Sequence, residues 1–376
     1  MMGGVYLFKS NFQYSICIDC RMITNSGIGT YIKNLVPKIV KAKPHWHFDI
    51  LIPKETDNVF FYFDKYKNCS IRICNEKIFS LFEQKMFFLL SMKKYDLLWV
   101  PNFNIPWIYR GKMLVTVHDV FHLARPEWAG SLLHVLYAKF MLNLVKKYAT
   151  KVLTVSEFSK NELISLCGFS SEKIIVNSLG VDNFWCASDC EVEMLPYGKK
   201  YILFVGNIKP NKNLCGLMKA FNKVRDLVDF DLVIVGKKEG FMTGDESFLS
   251  EYNKNPSRIF FSGYVDDNKL REYYRHAEML VFPSLYEGFG LPVLEAMACG
   301  CPVVCSDVAS LPEVAGDAAV FFDPQCPDDM ANKILLVNNS KNLRDRLVLH
   351  GKNRAASFKW EITAQNILNS LEMLLE

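Results

Sequence analysis

Two carboxylates, Glu287 and Glu295, stand eight residues apart in the run Glu287-Gly288-Phe289-Gly290-Leu291-Pro292-Val293-Leu294-Glu295. The apolar stretch Met279 to Ser284 before them reads as a short buried strand, and Pro292 suits the first turn of a helix, where its missing N–H costs nothing. A turn of that kind aims the backbone amides of Gly288 to Leu291 at an anion, with the positive end of the helix dipole behind them. Glu287 in the turn and Glu295 in the helix need not share one ligand group. One suits a hexose hydroxyl and the other a ribose hydroxyl, as a sugar nucleotide would offer. The competing reading is purely structural, since acids near a helix start are stabilising by themselves and glycines serve turns of every kind.

Such a site needs a sheet edge to sit on, and the chain supplies two sets of strands. At 376 residues it exceeds what one hydrophobic core sustains, so two domains are expected. Strand-like runs from Tyr14, Phe48, Ile71, Asp96, Lys112, Lys151 and Ile174 alternate with helical stretches such as Thr30 to Ala42, Phe82 to Tyr95, Leu132 to Tyr148 and Ser159 to Cys167. After a polar lapse around Cys186 to Lys200, a second set begins at Tyr201, Asp231, Arg258, Met279, Pro302 and Ala319. Helices are expected between these at Leu214 to Leu227, Asp267 to His276, Pro292 to Cys299 and Pro327 to Asn338. The alternation predicts an α/β chain of two doubly wound, Rossmann-like units divided near residue 196, with ligands in the cleft at the carboxyl ends of the strands.

Composition narrows the classes. With 50% apolar and 22% charged residues the chain is ordinary globular protein, without low-complexity or disordered character. No apolar run approaches the ~18 residues of a membrane span, Met86 to Leu90 beside Lys85 being the longest suspicious one. The first residues lack a basic segment followed by a long apolar one, so a cytoplasmic protein is expected. The 12 cysteines are scattered; Cys17-x-x-Cys20 and the group Cys299, Cys301 and Cys305 have no matching pair or histidine spacing, and read as small buried hydrophobes rather than metal ligands. The net charge of +4 is mild, with the basic excess in residues 1–195. It is too small for nucleic acid, yet suits an anionic membrane surface or a diphosphate-bearing acceptor, or merely a solvated face.

The second half resembles the nucleotide-binding domain of retaining GT-B glycosyltransferases, glycosyltransferase family 4. The resemblance runs from Phe261-Ser262-Gly263-Tyr264-Val265 through Pro283-Ser284-Leu285-Tyr286-Glu287 to Leu291-Pro292, then Glu295-Ala296-Met297-Ala298 and Leu311-Pro312-Glu313-Val314-Ala315-Gly316-Asp317-Ala318. Weaker matches at Gly27-Ile28-Gly29, Val117-His118-Asp119, Val155 to Ser159, Gly180-Val181-Asp182 and Val205 to Asn213 extend it over most of the chain. It implies the GT-B plan of two Rossmann-like domains facing across a cleft: residues 1–195 on the acceptor side, 196–355 for the nucleotide sugar, and a helix in 356–376 returning to the first domain. It also implies that Glu287 contacts the donor hexose and Glu295 the ribose.

Lys212 follows the strand ending at Gly206, in a loop leading to a helix that Asn213 is expected to cap. A lysine there stabilises the charge that a diphosphate gains as the glycosidic bond breaks. The family often has an arginine where Asn207 stands, and Lys209 is the nearby substitute; a solvated surface lysine is the alternative for both. Gly27 and Gly29 resemble the family's glycine loop near the donor phosphate, or make a plain turn. His118, at the end of a strand, points into the cleft, where it could bond a donor or acceptor hydroxyl with Asp119 orienting it, although strand-end histidines are more often structural. No Asp-x-Asp pair offers itself to a divalent ion, so a metal-independent reaction without a resident cofactor is expected, the diphosphate being met by Lys212 and backbone amides.

These readings converge on retaining transfer of a hexose, mannose favoured, from a GDP-sugar or UDP-sugar to a saccharide or polyprenyl-diphosphate-linked acceptor. The look of Thr116 to Asp119 and Gly206 to Pro210 is similar to mannosyltransferases of surface polysaccharide assembly, which implies lipopolysaccharide O-antigen or capsule. Amphipathic stretches at Phe79 to Lys94 and Leu132 to Lys147 add an expected peripheral contact with the cytoplasmic face of the inner membrane, core packing being the commoner explanation of such helices. The rival readings are a non-catalytic sugar-nucleotide binder and an epimerase or phosphorylase on the same plan.

Overall fold

The computed structural model describes residues 12–53, 60–74, 76, 78, 83–84, 95–186, 199–236 and 246–376. Among these, β1 Tyr14–Asp19, β2 Trp46–Pro53, β3 Cys69–Cys74, β4 Leu97–Val100, β5 Met113–Thr116, β6 Lys151–Thr154 and β7 Ile174–Val176 pair in parallel, in the order β3-β2-β1-β4-β5-β6-β7. They alternate with α1 Ser26–Ala42, α2 Phe60–Phe63, α3 Phe121–Ala124, α4 Leu132–Tyr148 and α5 Glu157–Cys167. A second parallel sheet, ordered β10-β9-β8-β11-β12-β13, consists of β8 Tyr201–Val205, β9 Asp231–Val235, β10 Ile259–Gly263, β11 Met279–Phe282, β12 Val303–Ser306 and β13 Ala319–Phe322. Its helices are α6 Leu214–Val224, α7 Glu246–Asn253, α8 Asp267–His276, α9 Leu291–Ala298, α10 Leu311–Ala315, α11 Pro327–Asn339, α12 Lys341–Ala356 and α13 Trp360–Leu375.

The central strands read as unbroken apolar runs because helices cover both faces of a parallel sheet: β4, β5, β8, β9, β11 and β12 are buried at every position. In each sheet the order reverses beside the first strand, at β1/β4 and at β8/β11, which opens a crevice at the carboxyl ends. The segments leaving those ends carry His118 after β5, Ser156 after β6, Lys212 after β8 and Glu287 after β11.

The closing helix runs back to the first sheet. Val181 N–H bonds Phe358 O at 2.9 Å, Asn177 Nδ2 donates to Thr363 O at 3.1 Å, and Lys38 pairs with Glu361 at 2.6 Å. Gly180 is the close approach that permits this, since a Cβ there would stand 2.2 Å from Trp360 N.

In the second unit, among the described residues, α7, α10 and α12 escape the hydrophobic pattern, α10 because it is a single short turn. α12 buries Leu347, Gly351 and Ala355, and Gly351 lets it lie against Met297 of α9; with two of the three so small, its inner side is too weakly apolar to read from spacing. α7 is short and mostly polar. Of the stretch Phe82 to Tyr95, only Glu83, Gln84 and Tyr95 are described; the rest, Met86 to Leu90 included, lies outside the described residues. Among the described residues, no helix is long and apolar enough to cross a membrane.

Candidate active site

After Phe282 the chain leaves β11 for the turn that carries Glu287 into α9. Gly290 precedes the helix at φ +104°, a left-handed conformation that glycine adopts without strain. The carbonyls of the turn are tied back by serines. Ser310 Oγ lies 3.0 Å from Glu287 O and 2.9 Å from Phe289 O, while Ser156 Oγ donates to Gly288 O at 2.7 Å with Ser159 Oγ at 3.3 Å. Among the described residues, the N–H groups of Gly288, Phe289 and Gly290 have no protein acceptor. They are left for an anion at the helix N-terminus. The Phe289 ring turns inward, edge-on to Phe358 at 5.8 Å, so Phe289, like the half-buried Leu291, serves the turn through its backbone.

Ser156 and Ser159 belong to the first unit, so the turn is fixed from across the cleft. A Cβ on Gly288 would stand 2.6 Å from His118 O, which makes glycine the condition for this approach. Tyr286 wedges its ring between Phe121 and Phe158, 5.7 Å from each, and its hydroxyl bonds Glu162. Glu313 of α10 reaches over to the start of α5, accepting Glu157 N–H at 2.9 Å and Phe158 N–H at 3.2 Å. A carboxylate on two free helix N–H groups is a cap supplied by the opposite unit. Glu313→Ala is expected to cost about 1–2 kcal/mol of stability, read as a lower urea midpoint, with Glu313→Gln retaining only part of it, since an amide keeps one of the two acceptor oxygens. An unchanged midpoint in the alanine variant would refute the cap.

Lys212 ends a 3₁₀ turn after β8, lies over the Phe282 ring at 5.2 Å, and pairs through Nζ with Glu287 Oε1. Both side chains are mostly buried, at 17% and 14% exposure, so their charges are only partly screened. Lys209 is exposed and faces the first unit closely enough for its charge to hold down the His122 pKa, which burial already lowers.

His118 is half-buried, with its ring edge-on to Tyr31 at 4.9 Å. Its Nε2 lies 3.1 Å from Pro101 O; a carbonyl only accepts, so Nε2 carries the proton and Nδ1 keeps its lone pair. Burial pushes its pKa down to about 4, leaving a neutral ring. Asp119 does not orient it: the carboxylate instead accepts Phe121 N–H at 3.0 Å, a local turn bond that captures the side chain. Burial raises the Asp119 pKa; Glu287 raises it further and Lys212 opposes, so the three act on one another electrostatically.

Glu295 projects from α9 and accepts the Tyr274 hydroxyl on Oε2 at 3.0 Å. Burial raises its pKa to about 7. Two smaller expectations are corrected. Asn213 precedes α6 but in a left-handed conformation, φ +52°, and its side chain donates to Pro324 O at 2.8 Å instead of capping the helix. Gly27 and Gly29 lie within the first turn of α1 and not in a loop before it, because Gly29 N–H already closes on Asn25 O. Gly29 makes the tight approach, 2.5 Å from a would-be Cβ to Ile23 O; no hydrogen bond among the described residues ties either glycine to the 287–291 turn.

The structure thus brings His118, Lys212, Glu287 and Gly288 into one cleft with Asp119, while Ser156, Ser159, Ser310, Tyr274 and Glu313 come as supports that residue spacing did not single out. Ser156, Ser159 and Glu313 sit inside resemblance motifs and were findable there; Tyr274 carries no local signal. Among the described residues, no cluster of three or more metal-ligating side chains occurs.

Residues 191–354 match the family Glycosyl transferases group 1, and residues 26–183 match Glycosyltransferase Family 4. The O-antigen chain mannosyltransferase B of Escherichia coli is 33% identical over 276 residues, which is 70% of this chain and 71% of that protein. The serotype-specific mannosyltransferase WbdA of Escherichia coli is 27% identical over 278 residues, 70% of this chain but only 34% of that longer protein. Among solved structures, Anabaena HepE in complex with UDP and glucose superposes with a TM-score of 0.73 at 18% identity, over 96% of this chain and all of that one. Two parallel-sheet units meeting at a glycine-bearing turn, and relatives at this level of identity, establish that the chain belongs to the group 1 glycosyltransferases and has the GT-B fold.

Proposed function

We propose that this enzyme transfers mannose, with retention, from a nucleoside diphosphate donor, GDP-mannose ahead of UDP-sugars, to a saccharide on a polyprenyl diphosphate during O-antigen assembly. Residues 196–355 would bind the donor, residues 1–195 would present the acceptor, and 356–376 would join the two. The observation that carries the reading is the Lys212–Glu287 pair beside three unpaired turn amides, directly opposite His118. A diphosphate offers Lys212 and those amides better partners than a lone carboxylate, and releases Glu287 for hexose hydroxyls. The mannosyl specificity follows the names of the relatives, and HepE bound to UDP supports a nucleotide-diphosphate donor.

In the transfer, the C1–oxygen bond to the diphosphate breaks as the acceptor oxygen attacks C1 from the same face. The acceptor proton passes to the departing phosphate oxygen. Lys212 and the turn amides stabilise the growing diphosphate charge, and the close fit of the two units excludes water. Thermal shift and hydrolysis with GDP-mannose, UDP-glucose and UDP-galactose test the donor; if no nucleotide sugar raises Tm, the donor site is wrongly assigned.

Glu295 adds a pH signature. Its folded pKa of about 7 lies above the ordinary carboxyl range, so the neutral acid stabilises the ligand-free fold at low pH and that contribution is lost as pH rises through about 7. A carboxylate accepts ribose hydroxyls more strongly than the neutral acid does, so donor affinity runs the other way. It should fall about tenfold between pH 8 and pH 6, measured by calorimetry with GDP. Tyr274→Phe removes a bond that favours the carboxylate and should move the midpoint up; flat affinity would refute the role.

A further inference from the structure

His118 is held by one hydrogen bond, and one bond does not aim a ring. Its Nε2–H on Pro101 O fixes where that nitrogen sits, but χ2 of a histidine is a broad torsion, so the ring can still turn about the N–H···O line and swing Nδ1 away from the cleft. A second contact has to stop that rotation. The buried face of α1, with Tyr31, Ile32, Leu35 and Ile39, delivers one to the sheet. The Tyr31 and His118 rings stand at 89° with centroids 4.9 Å apart, the geometry of an edge-to-face pair. Tyr31 is itself immobile. It is 1% exposed, its hydroxyl lies 3.3 Å from Thr116 Oγ1, and that oxygen accepts Trp99 Nε1–H at 3.2 Å. The buried indoles of Trp99 in β4 and Trp360 in α13 meet its ring edge-on at 6.2 and 6.5 Å.

We propose that Tyr31 is the positioning residue of His118: its ring blocks rotation of the imidazole, keeps Nδ1 aimed at a sugar hydroxyl, and keeps water off the buried side of the ring. This rests on the role given to His118 above. β4 then serves the histidine twice, through Pro101 O directly and through Trp99, Thr116 and Tyr31. The closing helix gains a part in the chemistry as well, because Trp360 backs Tyr31 from the side of α13. The charged groups at this end of the cleft are Asp119, whose carboxylate is turned to Phe121 N–H, and Lys212 and Glu287 of the second unit; α1 brings the Tyr31 phenol, which burial keeps un-ionised. Burial, opposed by the Pro101 bond, is what holds the His118 pKa at about 4. Opening space beside the ring admits water, which solvates the imidazolium and raises that pKa.

The test is NMR of the full chain with labelled histidine, alongside GDP release from GDP-mannose and calorimetry with GDP. In the wild type the Tyr31 and His118 rings should show a nuclear Overhauser contact, and His118 should stay neutral down to about pH 5. Tyr31→Leu should raise the His118 pKa by at least about one unit and lower kcat about tenfold with little change in GDP affinity. Its rate should also fall with pH through that raised pKa, because protonation removes the Nδ1 lone pair. Tyr31→Phe, which keeps the ring, should recover most of the rate and the low pKa, whereas Trp360→Leu should move both in the direction of Tyr31→Leu by less, and carries the same test should Tyr31→Leu not fold. A merely structural tyrosine would lower Tm in these variants without moving the His118 titration. The proposal falls on that result, on a missing Overhauser contact, on a Tyr31→Phe enzyme no better than Tyr31→Leu, or on an equal loss of GDP affinity. If His118→Ala releases GDP at the wild-type rate, the role of His118 falls and this proposal with it; if His118→Ala is slow while Tyr31→Leu moves nothing, this proposal alone falls.

Discussion

Lys212→Ala is expected to lower kcat about 10³-fold with a much smaller change in donor affinity. The ammonium lies in a partly dry site, above the Phe282 ring and against Glu287, at 17% exposure, where a charge acts more strongly than at a solvated surface. The diphosphate is already anionic in the bound donor, but it gains further charge only as the bond to C1 lengthens. On the proposed role the lysine would be worth more in the transition state than in the ground state, and its loss should fall on kcat. Glu287→Ala should be deleterious too, and the double variant should fall far short of the product of the two. Each single change leaves a partly buried, unpartnered charge that the double change removes. Steady-state kinetics with the four proteins decide this. A Lys212→Ala enzyme with normal kcat and only a raised KM would demote the lysine to a binding residue.

His118→Ala is expected to slow transfer about 10²-fold while leaving GDP affinity nearly unchanged. Its protonated Nε2 is spent on Pro101 O, so the group it would offer to a sugar is the Nδ1 lone pair, an acceptor for one hydroxyl. Burial holds the ring neutral down to about pH 4. Two consequences separate it from an ordinary histidine. The profile of kcat/KM for the donor should show no limb from this residue between pH 5 and 8, the limb near pH 7 belonging to Glu295 and vanishing in Glu295→Gln. Because the folded pKa lies below the unfolded one, the stability that His118 contributes is present above about pH 6.5 and is lost as pH falls through about 4. His118→Asn, which offers the hydroxyl another acceptor, should recover part of the rate. Equal losses of transfer and of GDP binding in His118→Ala would refute the assignment.

The strands were legible because each is a short apolar run bounded by polar or glycine residues. A parallel sheet covered on both faces leaves that pattern intact, and among the described residues thirteen strands occur where such runs were expected. α12 was not legible, since Gly351 and Ala355 pack through small size and contribute little to an apolar stripe. The catalytic candidates were legible where one segment contains the whole feature. Glu287, the glycines and Glu295 lie on a single turn and helix, so their types and spacing describe the site before any folding.

What linked that segment to the rest was not local. Ser156 and Ser159 on Gly288, Glu313 on α5, Tyr274 on Glu295 and Lys212 on Glu287 are contacts between residues 21 to 156 positions apart. No periodicity encodes them. The sequence alone determined two sheets, the order of their strands' appearance, and which short segments bear acids, cations and glycines. The tertiary structure decided which of those groups meet, which carbonyls are tied back so that amides stay open, and which carboxyl and imidazole lose water enough to change their charge. The physical reason is that propensity and patterning act over a few residues, whereas desolvation and hydrogen-bond partnership depend on what the second unit brings to the first.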